Sequence, residues 1–309
     1  MTEAQTPLRP SSTSSWALLM MPGVFVMLWS TGFLGAKLGL PYVEPFTFLL
    51  LRFLILTVIL VAAAFVLRAP WPSTWAEFMR LGIVGLLVHG IYLGGVFSSI
   101  HAGLPAGVAA LIVGLQPLLT AVGAGPFLGE KVTPRQWLGL ALGLLGVALV
   151  LGEKLHFDQT GLQATGFAVA ALFGITGGTI YQKRHGGGMD LRTGSAVQYA
   201  VAAVPMAVLA WLFESGDIQW SGELIFALGW LVVVLSIGAI SLLYILIRRG
   251  AASKVASLFY LTPAVTAVLA WILFDETLAP LAIAGMAVTV VGVALVTQNQ
   301  NNKPKGNSL

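Results

Sequence analysis

The stretch HGIYLGGVFSS (89–99) sets His89, Tyr92, Val96 and Ser99 along one stripe of a helix inside an apolar run. Intramembrane polar groups turn toward a protein interior or a water-filled cavity. In a cavity, Tyr92 can stack on a flat substrate while His89 and Ser99 hydrogen-bond to it. The competing reading has His89 satisfying a backbone carbonyl in a packed interior. Arg52 lies about seven residues into the next apolar run upstream, roughly 10 Å deep. Lys37 stands near the end of the run before that, with Glu44 between them. Lys37 or Arg52 could meet a substrate carboxylate. Pairing of one of them with Glu44, to fix the corner of the first two helices, is the commoner fate of such charges. Two further polar residues precede prolines: Gln116 before Pro117, and Thr262 before Pro263. Each proline frees a carbonyl that needs a new partner, so a helix kinked there tends to face protein or water rather than lipid. The kink could equally serve packing alone. Tyr260 stands close enough to Pro263 to stack on a substrate, or to sit in an interfacial belt. Tyr244 reads as belt.

Other chemistries lack their residues. The chain has no cysteine and four scattered histidines, so no metal site or other cofactor is expected. There is no HExxH and no Walker motif; GGGMD (186–190) lacks the lysine that follows a phosphate loop. No carboxylate lies in the middle of an apolar run, and His89 is the one deep titratable group there, so proton coupling draws weak support and facilitated transport is a fair alternative.

The elements that must position these residues are membrane helices. Of 309 residues, 57% are hydrophobic and 9% charged, against roughly 25% charged in soluble domains. Ten apolar runs have spanning length, at about 16–39, 46–67, 79–100, 104–128, 133–151, 162–182, 193–213, 223–247, 254–274 and 279–297. An even count puts both termini on one side. Lys and Arg favour that side by about thirteen to two, which makes it cytoplasmic. The same bias explains the net charge of +4 without nucleic acid. The first run is too long for a signal peptide and reads as a retained span. Residues 1–15 form a polar N-terminal segment and 298–309 a disordered tail.

The chain also repeats itself. Displaced by 146 positions, residues 105–150 lie on 251–296 without a gap and with roughly a third identity. The match pairs Pro117 with Pro263, Glu130 with Glu276, Pro134 with Pro280, and GVALV with GVALV. Five spans per copy is odd, so the second copy enters the membrane inverted, as in secondary transporters. The expected fold is therefore all-α: ten transmembrane helices in two inverted five-helix repeats, 16–153 and 162–297. Glu130 and Glu276 precede helix-starting prolines and suit helix N-termini.

WSTGFLGAK (29–37), PYVEPFTFLLLRF (41–53) and the paired FLGEKVTPRQWLGLALGLLGVALV (127–150) and FDETLAPLAIAGMAVTVVGVALV (274–296) resemble the drug/metabolite transporter superfamily, in its EamA-type branch. The likeness is strongest to bacterial exporters of aromatic amino acids. It implies alternating access about a central cavity and an inner-membrane location. It also implies a dimer surface on the fourth–fifth and ninth–tenth spans. Gly139-xxx-Gly143 fits that surface or packing within one chain, so monomer and homodimer both stay open. The expected function is non-ATP export of small apolar or aromatic metabolites, aromatic amino acids first. A sugar-phosphate or nucleotide-sugar exchanger would want more cavity cations than Arg52 and Lys37. A membrane enzyme acting on lipid-linked substrates would want clustered acids or histidines, and a channel would show no saturable exchange.

Overall fold

The computed structural model describes residues 15–128, 133–154, 159–185, 190–239, 242, 246, 259–276 and 280–298. Glu130, Tyr244, the 186–189 linker, residues 1–14, the tail from 299 and the side chain of Tyr260 lie outside that description. The described helices are α1 (Ser15–Gly39), α2 (Pro45–Val66), α3 (Trp75–His101), α4 (Ala106–Val113), α5 (Gln116–Leu128), α6 (Pro134–Lys154), α7 (Gln159–His185), α8 (Leu191–Phe213), α9 (Gly222–Ala239), α10 (Thr262–Phe274) and α11 (Pro280–Gln298). No strand occurs among the described residues; Val43 and Ile218 form an isolated antiparallel bridge. Six of these helices, α1, α2, α3, α7, α8 and α9, are long and apolar enough to cross a membrane. Shorter apolar segments cover Ala106–Thr120, Trp137–Leu149, Thr262–Phe274 and Pro280–Gly292.

Local chemistry sets the helix ends. Thr74 and Glu77 form a reciprocal capping box at the start of α3. The Ser221 hydroxyl accepts from Leu224 N at 3.1 Å to open α9. Asp190 opens α8 by accepting from Arg192 N at 2.9 Å. The Arg192 side chain also donates to Asp190, and this holds its carboxyl well below the ordinary range, at about 2. Val58, Phe65, Trp211 and Phe213 project from α2 and α8 with most of their surface uncovered, as helices bathed in lipid require.

Helices that correspond in the repeat pack on each other. A Cβ on Gly292 of α11 would stand 2.6 Å from Gly139 O and 2.8 Å from Gly143 N of α6. Reciprocally, a Cβ on Gly146 would collide with Gly285 O and Thr289. The contacts ascend α6 as they descend α11, so the two helices run antiparallel. Gly139 and Gly143 therefore serve a seam within the chain. Gly107 of α4 lies against Ala267 of α10, and Gly114 against Pro263, again antiparallel. Pro117 is the second residue of α5 and Pro263 the second of α10. The prolines thus begin new helical segments instead of kinking continuous ones. This placement is unstrained, because a first-turn N–H has no helical partner to lose.

The third span of each half contains a π-helical stretch, Leu86–Leu93 in α3 and Trp230–Ala239 in α9. Displaced by 146, the first falls on 232–239, inside the second. Such wide turns cost backbone hydrogen-bond geometry and concentrate at functional sites.

Candidate functional site

The two π-helical stretches border a central cavity of about 230 Å³. Trp29, Gly32 and Phe33 of α1, Arg52 of α2, and Val88, His89 and Tyr92 of α3 form one side. Ile175 and Gln182 of α7, Ser195, Gln198 and Tyr199 of α8, and Leu235 and Ser236 of α9 form the other. Three of these pairs are equivalent in the repeat: Trp29 with Ile175, Arg52 with Gln198, and His89 with Leu235. The cavity therefore straddles the axis relating the halves. Phe53 and Tyr199 are also equivalent, and their rings touch, with centroids 5.5 Å apart.

Arg52 is 3% exposed. Its Nη2 donates to Ser236 Oγ at 3.0 Å, and its Nε has no partner among the described residues. Ser236 donates in turn to Leu231 O at 2.9 Å, five residues back, satisfying a carbonyl in the π-helical stretch. The wide turn of one half thus holds the cation of the other. His89 stacks on Tyr199 with ring centroids 4.1 Å apart, and its buried Nδ1 has no partner among the described residues. Unsatisfied buried polar atoms are rare and call for a ligand or water. Both belong to residues that line this one cavity.

His89, Tyr92, Val96 and Arg52 line this cavity; Lys37, Ser99, Gln116 and Thr262 do not. Ser99 is fully buried and donates to Val96 O at 2.8 Å. Gln116 donates to Thr179 Oγ1 at 3.0 Å, linking α5 to α7. Thr262 is buried, and its hydroxyl has no partner among the described residues. Tyr260 falls in a 3-10 turn, Phe259–Leu261, just before α10. Pro263 belongs to the α4–α10 crossing, where it meets Gly114, and Pro117 lies in the first turn of α5.

The expected pairing of Lys37 or Arg52 with Glu44 does not form. Lys37 instead makes an ion pair with Glu276 and lies 4.8 Å from the centroid of the Phe274 ring. Glu44 accepts from Ser215 N and Oγ at 2.7 and 2.8 Å. The reason is spatial: the second half lies closer to these groups than their sequence neighbours do. Glu276 does serve a helix N-terminus, though not that of the helix following it. It accepts from Ala106 N at 3.2 Å, the first residue of α4.

Sequence reading passed over Trp29, Gln198, Tyr199, Ser236 and both π-helical stretches. A usable signal was present, since the 146-residue register that pairs the prolines also pairs Arg52 with Gln198 and Phe53 with Tyr199.

Comparison with known proteins agrees with this architecture. The profile of the EamA-like transporter family matches twice, over residues 14–152 and 163–298. The chain belongs to the EamA-like transporter family. Within the drug/metabolite transporter superfamily, this EamA-type chain is similar to the uncharacterized transporter YvbV of Bacillus subtilis (strain 168), 30% identical over 279 residues and 88% of each chain. A "probable amino-acid metabolite efflux pump" of Salmonella typhimurium is 28% identical over 281 residues, covering 87% of this chain and 90% of the relative. A "probable terminal-alkyne amino-acid exporter" of Streptantibioticus cattleyicolor is 28% identical over 296 residues, covering 93% and 94%. One protein of known crystal structure aligns over 94% of this chain and all 100% of its own, with TM-score 0.63 and 21% identity, a likeness of fold alone. As an EamA-type transporter, the chain is a membrane-embedded carrier of small molecules.

Proposed function

We propose that this EamA-type protein is a secondary exporter of small apolar or aromatic amino acids. It would work by alternating access between inverted five-helix halves, 16–153 and 162–297. The observation that carries this reading is the cavity on the axis between the halves, lined by Trp29, Tyr92 and Tyr199 around a few polar groups. Flat aromatic walls bury an apolar side chain, while sparse polar groups orient the rest of a ligand. Antiparallel packing of α6 on α11 and of α4 on α10 supports the inverted relation. The six long and four shorter apolar helical segments support a ten-span reading, and the Lys/Arg bias supports cytoplasmic termini in a bacterial inner membrane. The names of two relatives concern amino acids or their metabolites, which favours that substrate class.

In this orientation the loops after α1 and α8 lie on the outer face, and they are stitched together. Glu214 accepts from Phe46 N at 2.6 Å, from Thr47 N at 2.7 Å and from Thr47 Oγ1 at 2.7 Å. Gln219 N donates to Tyr42 O at 2.9 Å. The cavity reaches Gln182 and Ser195, toward the cytoplasmic ends of α7 and α8. This arrangement suits a carrier closed outside and loading from within.

The test is counterflow. Liposomes holding purified protein are loaded with unlabelled tryptophan, phenylalanine, threonine or a sugar phosphate, and entry of the matching label is followed without an ion gradient. Saturable entry of tryptophan and phenylalanine is the expected result. Sugar-phosphate exchange alone would transfer the assignment to that class, and non-saturable entry would indicate a channel.

A further inference from the structure

We infer that Arg52 anchors a substrate carboxylate, and that the cavity selects apolar monocarboxylates whether or not they carry an amine. The inference rests on reading the cavity as the transport site. A guanidinium has five N–H donors and no acceptor. Among the described residues Arg52 has one hydrogen-bond partner, the neutral Ser236, and its buried Nε has none, although Arg52 lines the cavity. A charge held this deep needs an anionic partner or water. No Asp or Glu lines the cavity, and the residues between 240 and 258 that lie outside the described structure include neither.

Three carboxylates on the outer side are engaged elsewhere. Glu276 holds Lys37 and Ala106 N, Glu214 holds Phe46 and Thr47, and Glu44 holds Ser215. The missing anion is therefore the ligand's to supply. A carboxylate fits the planar fork of a guanidinium with paired, charge-assisted hydrogen bonds.

The same inventory bears on the amine. An ammonium calls for an acid, and this cavity offers no carboxylate: its lining holds aromatic faces, hydroxyls, the amides of Gln182 and Gln198 and the His89 imidazole. Its amine gains no charge partner on leaving water, while the carboxylate does. An amino acid and its deaminated analogue then bind comparably, whereas the decarboxylated amine places a second cation beside Arg52. One cation also favours a monoanion over a phosphate dianion.

The experiment measures competition against labelled phenylalanine counterflow in proteoliposomes. Competitors are phenylalanine, 3-phenylpropionate, phenethylamine and phenyl phosphate. In the wild type, 3-phenylpropionate competes at least as well as phenylalanine, and phenethylamine and phenyl phosphate are at least about tenfold weaker, a difference of roughly 1.4 kcal/mol. In Arg52→Gln the acid and the amine compete within about twofold of each other. Equal competition by acid and amine in the wild type overturns the inference, as does unchanged discrimination in Arg52→Gln. If Arg52→Gln does not fold, Arg52→Lys carries the test. It keeps the charge without the planar fork, so it retains a weakened preference for the acid; loss of all preference overturns the anchor. Should labelled phenylalanine not exchange, labelled 3-phenylpropionate is used directly. Its exchange upholds the anchor while the amino-acid reading fails, and its absence overturns both.

Discussion

The two halves of this chain share a scaffold and differ wherever a ligand or a membrane face is met. Along the α6–α11 seam the equivalence is reciprocal: Gly146 abuts Gly285 and Thr289, and Gly292 abuts Gly139 and Gly143. A seam of this kind behaves like a two-fold interface, where one close contact implies its mirror. At the cavity the equivalent positions keep their places and change their chemistry. The first half supplies Trp29, Arg52 and His89, and the second supplies Ile175, Gln198 and Leu235.

The ends diverge further. Glu214, which covers the N-terminus of α2, is equivalent to Arg68 in the first half. Thr47, which donates to Glu214, is equivalent to Thr193, which donates to Pro70 O at 2.7 Å. α8 takes its N-cap from its own Asp190. Under the proposed topology, position 68 faces the basic cytoplasmic side and position 214 the outside. The charge code that orients the chain thus removes the carboxylate clasp from one end. Symmetry is retained where helices must pack closely and given up where inside must differ from outside.

The largest expected effect tests the shared scaffold. Gly146→Leu and Gly292→Leu should each reduce monodisperse protein in size-exclusion chromatography about tenfold, because overpacking against backbone costs roughly 1–3 kcal/mol or more. A normal yield from one and collapse of the other would break the reciprocity. The next test moves the cation. Arg52→Gln should raise the KM for a transported aromatic acid about tenfold, the loss of roughly 1.4 kcal/mol. The double variant Arg52→Gln/Gln198→Arg should recover most of that loss if the axial position decides. Recovery of nothing would tie the anchor to position 52, facing Ser236 of the opposite half.

A smaller effect compares the ends. The chain has no native cysteine, so Val96→Cys provides a clean label site beside the cavity. In right-side-out vesicles, Glu214→Ala should raise its reaction with an impermeant maleimide several-fold, while Thr193→Val leaves it unchanged. Equal responses would mean that the two ends are equally closed. The smallest effect concerns Asp190. Asp190→Ala should cost about 1 kcal/mol in melting experiments, as lost N-caps do. With its folded pKa lowered to about 2 by Arg192, Asp190 contributes fully above its ordinary value near 3.8 and loses that contribution as pH falls toward about 2. The gap between wild type and Asp190→Ala should therefore stay flat from pH 8 to about 5. A gap that closes within that range would place the Arg192 contact elsewhere.

How much of this could be read in the chain alone depends on distance along it. Composition set the solvent, because 9% charged residues cannot cover a water-facing surface. Apolar run lengths located the helices, and the gapless 146-residue register exposed the repeat through its prolines and GVALV. Those signals are local or linear, and they also carried the family. His89 and Tyr92 could be named because one helical stripe is itself linear. Partners across the halves could not. Lys37 meets Glu276, 239 residues away, and Glu44 meets Ser215, 171 away, although each charge had a plausible neighbour nearby. The wide turns of α3 and α9 carry no residue signature, and Arg52's tie to Ser236 depends on one of them. Helix formation is decided by neighbours along the chain. Which face of each helix meets the other half, and therefore what Arg52 still lacks, is decided only when the halves close on their common axis.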